Sequence, residues 1–123
     1  MTLERRIAVV DDDDAMVETL CDILELHGWE TVRAKDGLEA VDVVLKSGVR
    51  VVLMDVRMPR MNGVDALVEI KRRSPNINVV LFTASAAQEL LQRAERHGVA
   101  RILKKPVDAR ELLSVLDGLL ASG

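Results

Sequence analysis

Four apolar runs in this chain end in a polar or charged residue, and the types are those of one kind of chemistry. Asp11 and Asp12 begin the acidic run Asp11-Asp12-Asp13-Asp14 directly after Ile7–Val10. Asp55 follows Val51-Val52-Leu53-Met54, Thr83 follows Val79–Phe82, and Lys105-Pro106 follows Ala100–Lys104. A run of acids is usually a solvated face, and Asp13 or Asp14 suits the positive end of a following helix. Asp55 resists that reading, because a charge behind four apolar residues is costly without a partner. Three carboxylates drawn together repel, and some would protonate unless a cation sat among them. Oxygen donors without His or Cys select a hard cation such as Mg²⁺, held at about 2.1 Å, which keeps waters and accepts a phosphate oxygen. A carboxylate nucleophile, a metal, a hydroxyl and an ammonium in one small space make an inventory for phosphoryl transfer to an aspartate. That chemistry is mostly positioning and charge neutralisation.

For those residues to meet, the elements carrying them must share one rim. Five β-rich runs (Ile7–Val10, Glu30–Ala34, Val51–Met54, Val79–Phe82 and Ala100–Lys104) alternate with five segments of helical period. The third and fourth runs are continuously apolar, as parallel strands covered on both faces are. Val17, Leu20 and Leu24 form the inner stripe of the first helix, with Glu18, Asp22 and Glu25 outward. The second opens at Asp36 with Glu39 three residues on, as in a capping box, and its apolar set includes Leu38, Val41 and Leu45. The third starts after Asn62-Gly63 and stops at Ser74-Pro75. Ser85-Ala86-Ala87-Gln88 reads as a capping signature for the fourth. Asp108 with Glu111 opens the fifth, whose stripe is Leu112, Leu113, Leu116 and Leu120. His27-Gly28 and His97-Gly98 read as helix C-caps rather than ligands.

The alternation predicts an α/β fold of the (βα)₅ kind, a doubly wound open sheet with right-handed crossovers. Ligands in such a sheet sit outside the carboxyl ends of the strands, near the switch in strand order. If the first and third strands are neighbours, about 4.8 Å apart, Asp11, Asp12 and Asp55 converge there. Lys105, two strands away, needs its long side chain to bridge about 10 Å.

Composition narrows the alternatives. With 123 residues the chain reads as one domain. It carries 17 Lys and Arg against 20 Asp and Glu, a net charge of −3, which excludes a strongly basic nucleic-acid surface. One Trp, one Phe and no Tyr leave no platform for stacking bases. Apolar residues make up 49% and mean hydropathy is +0.13, enough to offset chain entropy. Cys21 is alone, which fits a small buried hydrophobe and a reducing cytoplasm. Met1–Arg6 lacks the apolar stretch of a leader, and no run reaches the ~20 apolar residues of a membrane span. No G-x-G-x-x-G follows the first strand, so a dinucleotide site is not expected.

The set Val9-Val10-Asp11-Asp12, Met54-Asp55-Val56-Arg57-Met58-Pro59-Arg60-Met61-Asn62-Gly63, Thr83-Ala84 and Lys104-Lys105-Pro106 resembles the receiver domain of two-component response regulators, over essentially the whole chain, 1–123. The resemblance implies a flavodoxin-like sheet of five parallel strands in the order 2-1-3-4-5 with helices on both faces. It implies Asp55 as the phosphoacceptor and Mg²⁺ held by Asp12, Asp55 and the Arg57 backbone carbonyl, with Asp11 acting mostly through water. Thr83 would then hydrogen-bond the phosphoryl group, Lys105 would pair with it, and the Lys105–Pro106 bond would be cis. Lys104 should point to the other side of its strand.

The implied function is a signalling switch that promotes only its own phosphorylation and dephosphorylation. Its partners would be a histidine kinase or histidine phosphotransfer protein and an effector domain or output protein, reached through the face of the fourth helix, fifth strand and fifth helix. No direct nucleic-acid or membrane contact is implied, and the state is a monomer or a phosphorylation-dependent dimer. Some positions depart from the family. Asn62 stands where Asp is usual, Val107 replaces a Phe, and Ile102 occupies the place of an aromatic that swings between two states. Arg57 and Ser85 fill the two positions that border the attacking water's path in receivers. A haloacid-dehalogenase-like phosphatase would need a second acid two residues after Asp55, where Arg57 stands. A receiver-like module that binds partners without phosphorylation is at odds with intact Asp12, Asp55, Thr83 and Lys105.

Overall fold

The computed structural model describes residues 5–122. Met1–Glu4, part of the stretch read for a leader, and Gly123 lie outside the described residues. The elements run β1 (Arg6–Val10), α1 (Asp14–Leu26), β2 (Glu30–Ala34), α2 (Gly37–Ser47), β3 (Val51–Asp55), α3 (Gly63–Arg73), β4 (Asn78–Thr83), α4 (Gln88–Arg96), β5 (Arg101–Lys104) and α5 (Ala109–Ser122). All neighbouring strands pair in parallel, in the order β2-β1-β3-β4-β5.

The burial pattern explains which runs had to be continuous. Every residue of β3 is buried, whereas the edge strands β2 and β5 are half exposed. Alternate strand residues feed two separate cores, as the period of two requires. Ala8, Val10, Val52, Met54, Val79 and Leu81 pack with α2 and α3. Ile7, Val9, Val51, Leu53, Val80, Phe82 and Leu103 pack with α1 and α5. Fully burying a large aliphatic or aromatic side chain contributes roughly 1.5–3 kcal/mol, so these two layers offset the cost of holding carboxylates at the rim. Cys21 is buried in the second layer, and burial pushes its thiol up, as an inert hydrophobe requires.

The loops above the sheet are set by their caps. Asp13, Asp36 and Asn62 accept from the backbone N–H groups of Met16, Glu39 and Asp65 at 3.2, 2.9 and 2.9 Å. Asp108 accepts from Arg110 and Glu111 in the same way. Gly28 and Gly98 take the left-handed conformation just past His27 and His97, the helix C-caps. Two expectations need correction. Ser85 does not cap α4: the helix begins three residues later, its N-cap is Ala87, and no side chain caps it, because residues 84–87 run as a loop. Leu38 is not part of the inner face of α2 but 46% exposed; Gly37, Ala40, Val41 and Val44 are buried instead, small residues that let the helix lie close to the loop and sheet below.

Candidate functional site

At the carboxyl ends of β1, β3 and β5, the period of two decides which side chains meet. Residues 7, 9 and 11 share a face, as do 51, 53 and 55, and 103 and 105. All three sets point to the side of α1 and α5. The ladder carries on past the formal strand ends, with the Asp11 N–H donating to Ala34 O at 3.2 Å and the Lys105 N–H to Thr83 O at 2.9 Å. Asp11 and Asp55 are therefore buried, at 1% and 6% exposure, while Asp12, one residue out of phase, is exposed. Oxygens of Asp11, Asp12 and Asp55 lie within 4.8 Å of one another. The sequence expected these three carboxylates to converge, and they do.

The ammonium of Lys105 bridges the remaining distance. Its Nζ donates to Asp11 Oδ2 and Asp55 Oδ2, each at 3.2 Å, and lies 4.9 Å from the centre of the buried Phe82 ring. Burial works against its charge, but the hydrogen bonds and charges of Asp11 and Asp55 outweigh it and hold the lysine above its ordinary range. Lys104 is exposed, in register with Thr83, as expected for the opposite side of the strand. The Lys105–Pro106 bond is cis. Partial desolvation, then the hydrogen bond and charge of Asp11, push Asp12 above the usual carboxylate range. Three carboxylates this close repel one another, and a divalent cation at the open side relieves that repulsion. Oxygen donors alone, with no His or Cys among them, fit Mg²⁺.

Thr83 is buried at the end of β4, in phase with residues 79 and 81, so it approaches the rim from the other face of the sheet. Its hydroxyl donates to Ser85 O at 3.0 Å and so holds the loop that leads to α4. The backbone N–H of Arg57 donates to Asp55 Oδ1 at 3.3 Å, while the Arg57 side chain is exposed. Asp55 thus has one oxygen toward the loop and the other toward Lys105. Gly63 closes the loop's base: its N–H donates to Val56 O at 2.8 Å, and a Cβ there would collide with the Asp55 carbonyl oxygen.

The sequence reading did not single out Arg60. Its guanidinium makes a forked pair with Asp36, Nε to Oδ2 at 3.0 Å and Nη2 to Oδ1 at 3.1 Å, joining the loop after β3 to the start of α2. A sequence signal existed only for one half of the pair, Asp36 as a cap.

Comparison with known proteins agrees with this geometry. The profile of the response regulator receiver domain matches residues 7–117. The chain belongs to the response regulator receiver family. It is 30% identical over 110 residues to sporulation initiation phosphotransferase F of Bacillus subtilis, covering 89% of each. It is 38% identical over 112 residues to the regulatory protein AtoC of Escherichia coli, covering 91% of this chain and 24% of AtoC. Several other curated relatives are likewise matched over only about half of their length or less. Among solved structures, a CheY-like receiver domain protein from Methanospirillum hungatei superposes with a TM-score of 0.90 at 27% identity, over 98% of this chain and 99% of that one. The family's role is phosphorylation-dependent signalling in two-component systems. No helix among the described residues is long and apolar enough to cross a membrane.

Proposed function

We propose that this domain accepts a phosphoryl group on Asp55 from the phosphohistidine of a histidine kinase or phosphotransfer protein and passes the change on through the face formed by α4, β5 and α5. The observation that carries the reading is Asp55 itself, a carboxylate 6% exposed at the end of the most buried strand, 3.2 Å from an ammonium and grouped with two further acids. Asp12, Asp55 and the backbone carbonyl of Arg57 would hold Mg²⁺, with Asp11 acting through water. Bound there, the ion supplies neutralising charge to the transferring phosphoryl oxygens.

An Asp55 carboxylate oxygen forms the bond to phosphorus as the phosphorus–nitrogen bond of the donor breaks, and the imidazole leaves with that electron pair. Lys105, freed from one of its two carboxylates, pairs with the phosphoryl oxygens. Hydrolysis reverses the acceptor's change: water adds to phosphorus, the acyl phosphate bond breaks, and Asp55 returns with inorganic phosphate. The domain acts on no other substrate in this scheme, so it is a switch and not a turnover enzyme.

Relay begins at Thr83. An aspartyl phosphate adds about −1.5 to −2 charges at the rim. The Thr83 hydroxyl then exchanges Ser85 O for a phosphoryl oxygen and releases the loop before α4. That helix has no side-chain cap and Ala94 as its buried residue, and it is tied to α3 by the Arg93–Asp65 pair. Ile102, half-buried against the same core as Leu90 and Val99, takes the place of a swinging aromatic. Output therefore rests on the position of α4 and not on a ring rotamer. Residues 1–123 form one receiver domain that works in the cytoplasm, with an effector domain or output protein as its target. This domain itself makes no direct nucleic-acid contact, and it is a monomer or a dimer formed on phosphorylation.

Treatment with acetyl phosphate and Mg²⁺, followed by intact-mass measurement, tests the assignment. The wild type should gain one phosphoryl group and Asp55→Asn none; a full increment on the variant would place the acceptor elsewhere.

A further inference from the structure

Residues 57–62 carry the Arg57 carbonyl of the proposed metal site, and they are held in a shape that a free loop would not keep. Arg60 has φ 66°, a region that L side chains rarely adopt. Across it the Met61 N–H donates to Pro59 O at 2.7 Å, making a γ-turn with a left-handed centre, the strained form of that turn. Such strain persists only where the surroundings over-determine it.

Here Asp36 does so. It is 4% exposed and receives the Arg60 fork, and its Oδ1 also accepts from the Glu39 N–H at 2.9 Å. The carboxylate cannot turn away without uncapping α2. The Glu39 N–H, then the Arg60 guanidinium, hold it below the usual carboxylate range despite its burial. Beside it the Gly37 N–H donates to Met61 O at 3.1 Å, and a Cβ at position 37 would collide with that same carbonyl. The loop is thus fastened at its base, where Gly63 meets Val56, and at its tip on α2, with Arg57 between the two fastenings. A planar fork suits the task, because two parallel bonds fix direction as well as distance, which a single ammonium cannot do.

We infer that Arg60 is a positioning residue for phosphoryl acceptance: its forked pair with Asp36 sets residues 57–61 so that the Arg57 carbonyl and the Asp55 carboxylate face one cation site. The inference rests on the proposed phosphoacceptor role of Asp55.

The test uses the full chain as wild type, Arg60→Gly, Arg60→Lys, Asp36→Asn and the Asp36→Asn/Arg60→Gly double variant. Glycine accepts the positive φ without strain, and asparagine caps α2 as well as aspartate does, so both variants keep the fold. Mg²⁺ affinity is read by calorimetry without phosphate, and thermal melts report stability. Arg60→Gly should weaken Mg²⁺ binding about 10-fold, the scale on which groups that orient metal ligands act, with little change in melting temperature. Arg60→Lys should fall between, and the double variant should be no worse than either single one, because both remove the same pair. Amide hydrogen exchange at residues 57–61 should quicken in parallel. Wild-type Mg²⁺ affinity in Arg60→Gly, or losses that add in the double variant, would overturn the inference. A wild type that takes up neither Mg²⁺ nor a phosphoryl group overturns it together with the proposed function; a competent wild type with an equally competent Arg60→Gly overturns it alone.

Discussion

Lys105→Met leaves the buried carboxylates of Asp11 and Asp55 facing one another without the ammonium that now sits 3.2 Å from each. At an effective dielectric near 20, a unit pair at that distance attracts by about 5 kcal/mol. The net loss is smaller, because the lysine side chain is 20% exposed and water reaches the cluster from the side of Asp12. Removing one partner of a buried pair costs about 3–5 kcal/mol, and partial exposure places this one near 3. In a domain of this size that lowers the melting temperature by roughly 10 °C in the presence of a chelator. Mg²⁺ should then close part of the gap, because a dication at the same carboxylates no longer meets a competing positive charge. At a Mg²⁺ concentration ten times the wild-type Kd, the wild type gains about 1.4 kcal/mol, and a variant binding tenfold more tightly gains about 2.7. Circular-dichroism melts of both proteins in EDTA and in Mg²⁺ measure the difference directly. A wild-type-to-variant gap that is equal or wider in Mg²⁺ would refute the idea that Lys105 and the ion compete for the same carboxylates.

Gly63→Ala should destabilise the protein by about 2 kcal/mol or more in urea unfolding, because the new methyl meets backbone at Asp55, which cannot yield as a side chain would. Gly118→Ala, where a Cβ meets nothing within 4 Å inside α5, should instead stabilise by up to about 1 kcal/mol; equal effects at the two sites would mean that the close approach at Gly63 is not what matters. Asp36 has a depressed folded pKa, so its contribution is present above the unfolded value of about 3.9 and is lost as pH falls through the folded one. Asp36→Asn should therefore show a flatter loss of stability below about pH 4, and an unchanged acid limb would show that the carboxylate's partners do not favour its charge. Arg57 and Ser85 are both exposed beside the rim, and neither offers a carboxylate or amide to orient a water. Replacing them with Asn and Glu should shorten the phosphoryl lifetime about 10-fold, or ~1.4 kcal/mol in barrier, measured as decay after the donor is removed. A double variant that decays no faster would show that these residues do not limit water's access.

Asp11, Asp55 and Lys105 could be read from the sequence because each follows a strand run, and periodicity then fixes the side of the sheet it takes. Each is an even number of residues from a buried strand residue, so a strand that buries Val9, Leu53 or Leu103 must turn its end residue to the same side. The same counting separates Lys105 from Lys104, whereas the different parts expected of Asp11 and Asp12 came from the family resemblance. Strand order lay beyond such counting and came from family resemblance, because right-handed crossovers permit several orders and only those that pair β1 with β3 bring the acids together. Ser85 misled because a Ser with Gln88 three residues on satisfies the local rule for a capping box, while the chain spent its carbonyl on Thr83 and began the helix later. Leu38 misled because helical period locates a stripe only to within one residue, and on α2 it is Gly37, not the leucine, that fits the narrow space against Met61, with Ala40 buried further along. The Arg60–Asp36 pair had no periodic signal at all. Its partners are 24 residues apart, one in a loop whose left-handed turn is unusual for arginine, and the bond exists only because α2 and the loop after β3 are brought together above the switch in strand order. Contacts of that kind depend on where two loops land, which no single element encodes. If the pair orients the Arg57 carbonyl as inferred above, the part of the site least legible in the sequence is the part that tunes it.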